Sequence, residues 1–172
     1  PEPHIFASNQ LFPQYSLSSR SVFLIMHVFS MKVSVSIGLL RFSLLPYGYK
    51  VQDRISYKVV YTVYADGIVD VDASFATDND CDIPRLGLVA SVTPGYENVK
   101  WYGRGPHENY SDRECSAYFG IYENTVDGMV ENYLRSQTMG NRGDVRWLAL
   151  TNDHGQGMKI TAGGDLAFSA LH

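Results

Sequence analysis

The residues of this chain best equipped for chemistry concentrate in one stretch, WYGRGPHENYSDRE, from Trp101 to Glu114. It interleaves Arg104, His107, Glu108, Asp112 and Arg113 with Trp101, Tyr102 and Tyr110, and with Gly103, Gly105 and Pro106. Three uses of such residues compete. Glycosidic cleavage needs two carboxyl groups roughly 5 to 10 Å apart, one as acid and the other as nucleophile or base, and Glu108 and Asp112 are carboxylates beside His107 and Arg104. A sugar site would instead use Trp101, Tyr102 and Tyr110 as flat apolar faces, with Arg104, His107 and Glu108 meeting hydroxyls. A structural corner would end a strand at Tyr102 and turn sharply at Gly103 and Gly105. Pro106 would then fix φ, and Glu108 or Asp112 would bond loop amides or pair with Arg113. The residues alone leave all three open.

Outside this stretch the chemical content is thin. Cys81 and Cys115 belong to no Cys-x-x-Cys pair, and the five histidines are scattered, so no metal site is indicated. Two thiols do not make a disulfide framework. His154, in HGQG, reads as part of a hairpin turn. Trp147, between Val145 and Leu148, reads as core. Arg142 and Arg146 are expected to pair with loop carboxylates such as Asp144.

The elements that must position these residues are strands. In residues 55–75, Ile55, Tyr57, Val59, Tyr61 and Val63 share one face. Val69, Val71, Ala73 and Phe75 alternate with Asp70, Asp72 and Ser74, and Asp66-Gly67 between the two runs predicts a tight primed hairpin turn. Further strands are predicted over 86–92, 99–102, 116–122, 145–151, 157–161 and 166–170, separated by Gly, Pro, Asn and Asp. Residues 21–45 are strongly apolar, but His27, Lys32 and Arg41 break the run, so nothing reaches the ~20 residues a bilayer demands. No basic start and small-residue cleavage site frame a signal peptide there. Met31, Val33, Val35 and Ile37 alternate with polar neighbours, and buried strands are predicted in this region. No segment sustains a 3.6-residue period. The pattern predicts an all-β, antiparallel β-sandwich. At 172 residues the chain suits one well-cored domain. Its net charge of −4 excludes a broad basic face for nucleic acid.

Longer motifs carry a family resemblance. Pro84, Arg85 and Gly87 fit a Pro-Arg-x-Gly pattern. Trp101, Gly103, Gly105, Pro106, Glu108, Asn109, Tyr110, Asp112 and Arg113 fit Trp-x-Gly-x-Gly-Pro-x-Glu-Asn-Tyr-x-Asp-Arg. Tyr133, Gln137, Gly140, Arg142, Arg146 and Trp147 fit a second block, with Ser136 where Pro is usual. Over residues 51–172 the chain resembles the C-terminal β-sandwich, or small chain, of the large β-galactosidases of glycoside hydrolase family 2.

The resemblance implies a galactose-mutarotase-like sandwich that walls the active-site cleft of a larger enzyme and assists its assembly, with no catalytic residue in this chain. The family's catalytic glutamates lie on a (β/α)₈ barrel, and no eightfold strand–helix alternation occurs here. Trp101, Arg104, His107 and Glu108 remain as sugar contacts. Pro84, Arg85, Gly103, Gly105, Pro106, Asn109, Tyr110, Asp112, Arg113, Arg142, Arg146 and Trp147 carry the structural motif. The resemblance also implies no cofactor in this chain, divalent metal in other domains of the parent, and a bacterial enzyme of cytoplasm or periplasm. As partners it implies those other domains, a β-galactoside through the whole enzyme, and a homo-oligomer, without membrane or nucleic acid. Residues 1–50 fit the family pattern poorly and are expected to form an N-terminal β segment of the same domain. The family's last strands, one loop of which brings a Trp to the sugar, are expected to lie beyond His172. The alternative is a free-standing carbohydrate-binding or mutarotase-like sandwich.

Overall fold

A computed structural model describes the backbone at residues 4–9, 22–28, 55–77, 86–135 and 137–172, and side chains at 58–74, 87–135, 137–164 and 166–172. The alternating run at 31–37 and the motif residues Pro84 and Arg85 lie outside the described residues. The described chain is β throughout, apart from one 3₁₀ turn at Asp127–Met129. The strands are β1 His4–Asn9, β2 Val22–Val28, β3 Ile55–Val63, β4 Ile68–Thr77, β5 Leu86–Ser91, β6 Asn98–Gly105, β7 Tyr118–Thr125, β8 Arg142–Thr151 and β9 Gly157–Leu171.

Every pairing is antiparallel, in the order β3-β4-β2-β9-β8-β6-β7, with β1 joined to β9 and β5 to β1. The architecture is the antiparallel β-sandwich that the alternating pattern predicts. Strand β9 ties it together. Its first half pairs with β2, from Met158 to Ala162, and its second with β1, from Ala167 to Leu171. The two strands predicted over 157–161 and 166–170 are therefore one. The exposed Gly163 and Gly164 sit where the partner changes, so they mark a change of partner rather than a turn.

The β3–β4 hairpin corrects the expected two-residue turn. Its loop runs over Tyr64–Gly67, closed by Tyr64 N–H on the Ile68 carbonyl at 2.9 Å, and only Gly67 in it has positive φ, at 87°. Asp66 instead accepts the Ile68 amide on its carboxylate at 3.1 Å, a local side-chain turn. The 152–157 turn is built the same way. Asn152 Oδ1 accepts the amides of His154 and Gln156, and Gly155 takes φ 74°.

The core follows from alternation. In β6, Val99, Trp101, Gly103 and Gly105 point inward, against Val145, Leu148 and Leu150 of β8 and Ile160 and Phe168 of β9. Trp101 is 0 % exposed, and Phe168 meets it edge-on at 5.9 Å between ring centres. Gly103 and Gly105 thus lie inside a strand that runs on to residue 105, and not at a corner after Tyr102.

Candidate functional site

The chain leaves β6 through a cis Gly105–Pro106 peptide and enters the loop 106–117, which lies against residues 133–143. Polar side chains rather than apolar ones hold these segments together. Glu108 is 8 % exposed and uses both carboxylate oxygens: Oε1 accepts from Arg113 Nη2, and Oε2 accepts the Gly140 amide at 2.9 Å. Asn109, also buried, reads the opposite backbone in both directions. Its amide donates to the Asn141 carbonyl at 2.9 Å, and its Oδ1 accepts the Gly143 amide at 2.9 Å. Asn141 Nδ2 returns a bond to the Asn109 carbonyl at 2.6 Å. Buried amides left without such partners would each cost about 1–3 kcal/mol.

Arg113 completes the brace from the solvent side. Besides Glu108 it donates to the Tyr133 hydroxyl at 2.7 Å, and its guanidinium lies 4.7 Å over the Tyr110 ring. Tyr110 in turn donates to the Thr138 carbonyl at 3.0 Å. Arg142 enters from below at 1 % exposure. Its Nε donates to the Pro106 carbonyl at 3.0 Å, and its guanidinium sits 5.4 Å over the Trp101 ring. Burial pulls the Arg142 pKa down, with Glu131 and Glu108 acting against that pull.

A second cluster lies at the open end of β6. Arg104 Nε donates to Asp144, its Nη1 donates to the Ala117 carbonyl at 3.1 Å, and Glu114 stands 3.7 Å away. The hydrogen bond to Asp144 raises the Arg104 pKa above its ordinary value. Asp144 has φ 51°, the one non-glycine residue described with positive φ, and it lies where the β8–β9 register shifts between Arg142 and Val145. That bulge aims its carboxylate at Arg104. Asn tolerates this backbone region and a β-branched residue does not. Asp144→Val should therefore cost roughly 1–3 kcal/mol more than Asp144→Asn. Thermal melts followed by circular dichroism check this, and equal melting temperatures would contradict it.

The sequence-predicted residues divide accordingly. Trp101 is sealed in the core, its Nε1 donating to the Arg104 carbonyl at 2.9 Å, so it presents no face to a sugar. Glu108 has both oxygens committed to the brace. His107 is exposed, with Nε2 3.0 Å from Ser116 Oγ, and Asp112 is exposed in the turn that Arg113 N–H closes on the Tyr110 carbonyl. Asp144 takes Arg104 and not the expected Arg142, which bonds backbone carbonyls; Arg146 stacks 5.9 Å over Phe119. Trp147 is half-buried and faces away from the core cluster, with Lys159 4.9 Å over its ring, so the expectation of a core Trp is corrected. Asn141 holds the brace without having been singled out, and Tyr133, matched only as a motif position, joins it through Arg113. Asn141 meets Asn109 32 residues away, a distance no local pattern spans.

Chemically, this arrangement anchors a loop. Its buried carboxylate is neutralised by a cation and an amide.

Comparison with known proteins agrees with the fold. The family model described as "Beta galactosidase small chain" matches residues 16–172. A β-galactosidase of Priestia megaterium is 39 % identical over 114 residues, covering 66 % of this chain and 11 % of that protein. A β-galactosidase of Halalkalibacterium halodurans is 31 % identical over 121 residues, 68 % of this chain and 12 % of that protein. Beta-galactosidase BgaC of Bifidobacterium adolescentis is 31 % identical over 120 residues, 68 % of this chain and 11 % of that protein. The chain thus spans about a tenth of the length of these relatives. With an antiparallel sandwich and a family match over most of its length, the chain belongs to the β-galactosidase small chain family.

Proposed function

We propose that the chain acts as a non-catalytic domain of a glycoside hydrolase family 2 β-galactosidase, walling the active-site cleft and supporting assembly while another domain cleaves the terminal β-galactoside. One observation carries this reading: Glu108, the buried carboxylate of the loop, spends both oxygens on Arg113 and the Gly140 amide. A retaining or inverting glycosidase needs two carboxyls facing a substrate. Residues 1–50 and 51–172 act as one sandwich domain in this reading, supported by the pairing of β1 and β2 with β9. Divalent metal belongs to the parent's other domains.

Any sugar contact from the loop falls to exposed His107 and the open part of Arg104, not to Trp101 or Glu108. That takes the Trp101 ring from the alternative of a free-standing carbohydrate-binding or mutarotase-like sandwich and leaves it the half-buried Tyr102 and Tyr110. The deciding experiment is turnover of a chromogenic β-galactoside by the chain alone, expected to be nil.

A further inference from the structure

Strand β7, Tyr118–Thr125, ends the sheet: among the described strands it pairs with β6 alone. An edge strand turns the N–H and C=O groups of alternate residues outward, where they template a further strand. Lysine and proline commonly guard such edges, and β7, YFGIYENT, has neither. Its side chains are open as well: Tyr118 is 75 % exposed, Phe119 46 % and Ile121 60 %. Its one charge, Glu123, is held by Lys100, its direct partner on β6.

We propose that β7 pairs with β7 of a second copy of this chain, antiparallel about a two-fold axis at Ile121, and so joins two sheets into one. This pairing does not rest on the function proposed above. A copy is the occupant because β7 is complementary to itself in this register. Direct antiparallel partners project to the same face, and Phe119, Ile121 and Glu123 share the face of Arg104, Tyr102 and Lys100. On that face the axis sets Ile121 against Ile121, each backed by Tyr102, and Phe119 against Glu123. Arg146 stacks over Phe119 at 5.9 Å, so the arriving carboxylate meets a cation while it keeps Lys100. No like charges stand opposite each other, a contact that would destabilise the pairing. On the other face Gly120 lies opposite Tyr122. The Tyr122 ring already leans over its own Gly120, its hydroxyl donating to the Tyr118 carbonyl at 2.9 Å, and a glycine across the seam leaves it room. Moving the axis to Gly120 shortens the pairing to residues 118–122. Moving it to Tyr122 sets Tyr122 against Tyr122 and Ile121 against Glu123. A contact of this isologous kind closes as a dimer.

The test is sedimentation equilibrium of the full chain from micromolar to millimolar concentration, with circular dichroism confirming that each variant is folded. The parent chain should form dimers and stop there. Ile121→Lys and Ile121→Glu each place like charges across the axis and should weaken dimerisation about tenfold or more. Mixed one to one, the two variants bring opposite charges together and should recover a dimer. Val63→Lys, at an exposed position on β3 at the other end of the sheet, should change dimerisation by less than about twofold. A parent chain that stays monomeric would overturn the proposal and leave the edge to a different polypeptide. Dimers untouched by both Ile121 changes, dimers lost in Val63→Lys, or a folded mixture that stays monomeric would each overturn it as well. None of these results bears on galactoside turnover, so the two readings fail separately.

Discussion

Gly103→Ala lowers the melting temperature of the chain by roughly 6–12 °C, the consequence of about 3 kcal/mol of overpacking in a domain of this size. The cause is contact rather than backbone angle, since neither Gly103 nor Gly105 lies in the left-handed region. A Cβ on Gly103 would stand 2.7 Å from Val145 Cγ2 and 2.8 Å from Val145 Cα, with the Asp144 carbonyl at 3.2 Å. The methyl could rotate away, but the Val145 backbone is fixed by the β8 bulge and cannot. At Gly105 a Cβ would meet the Tyr122 ring at 2.7 Å and Trp101 at 3.0 Å, so Gly105→Val should act in the same direction. Thermal unfolding measures both, and an unchanged melting curve for Gly103→Ala would remove the close-packing account of the β6–β8 seam.

Glu108→Ala is expected to cost about 2–3 kcal/mol, roughly 4–12 °C in melting temperature. Most of that loss comes from the Gly140 amide, which stays buried without its acceptor. Arg113 is half-exposed and can turn to water, so its share is small. Glu108→Gln keeps one acceptor oxygen and should fall between the two. Amide exchange at Gly140 should quicken in Glu108→Ala before the core strands exchange. A melting curve matching the parent chain, with Gly140 still protected, would contradict the brace.

The inward rows of β4 and β6 were legible, because Val69, Val71 and Ala73, and Val99 and Trp101, keep the two-residue period; in β3 Val59 packs on the core while Tyr61 and Val63 on the same face are exposed. Trp147 was misread for a definite reason. Val145 and Leu148 are three apart yet both face inward, because the register slips at the β8 bulge and moves Trp147 to the outer face. No local pattern announces such a slip. Strand β1, HIFASN, lacks clean alternation and owes its existence to pairing with the sequence-distant β5 and β9. In the loop, residue types restricted Glu108 to a few uses, and the family motif favoured structure. The choice between them needed Gly140 and Asn141, which only the fold brings alongside. The hairpin glycines at 67 and 155 were readable because a positive φ is a local demand.

The non-catalytic reading of the loop is tested most directly by hydrolysis of a chromogenic β-galactoside by the purified chain and its Glu108→Gln variant, with melting curves confirming that both are folded. Transition-state stabilisation in glycosidases rests on two placed carboxyls, and a carboxylate bound to Arg113 and an amide supplies neither proton nor nucleophile. The account predicts no release of chromophore above buffer from either protein. Turnover by the parent chain that disappears in Glu108→Gln would contradict it and make Glu108 catalytic.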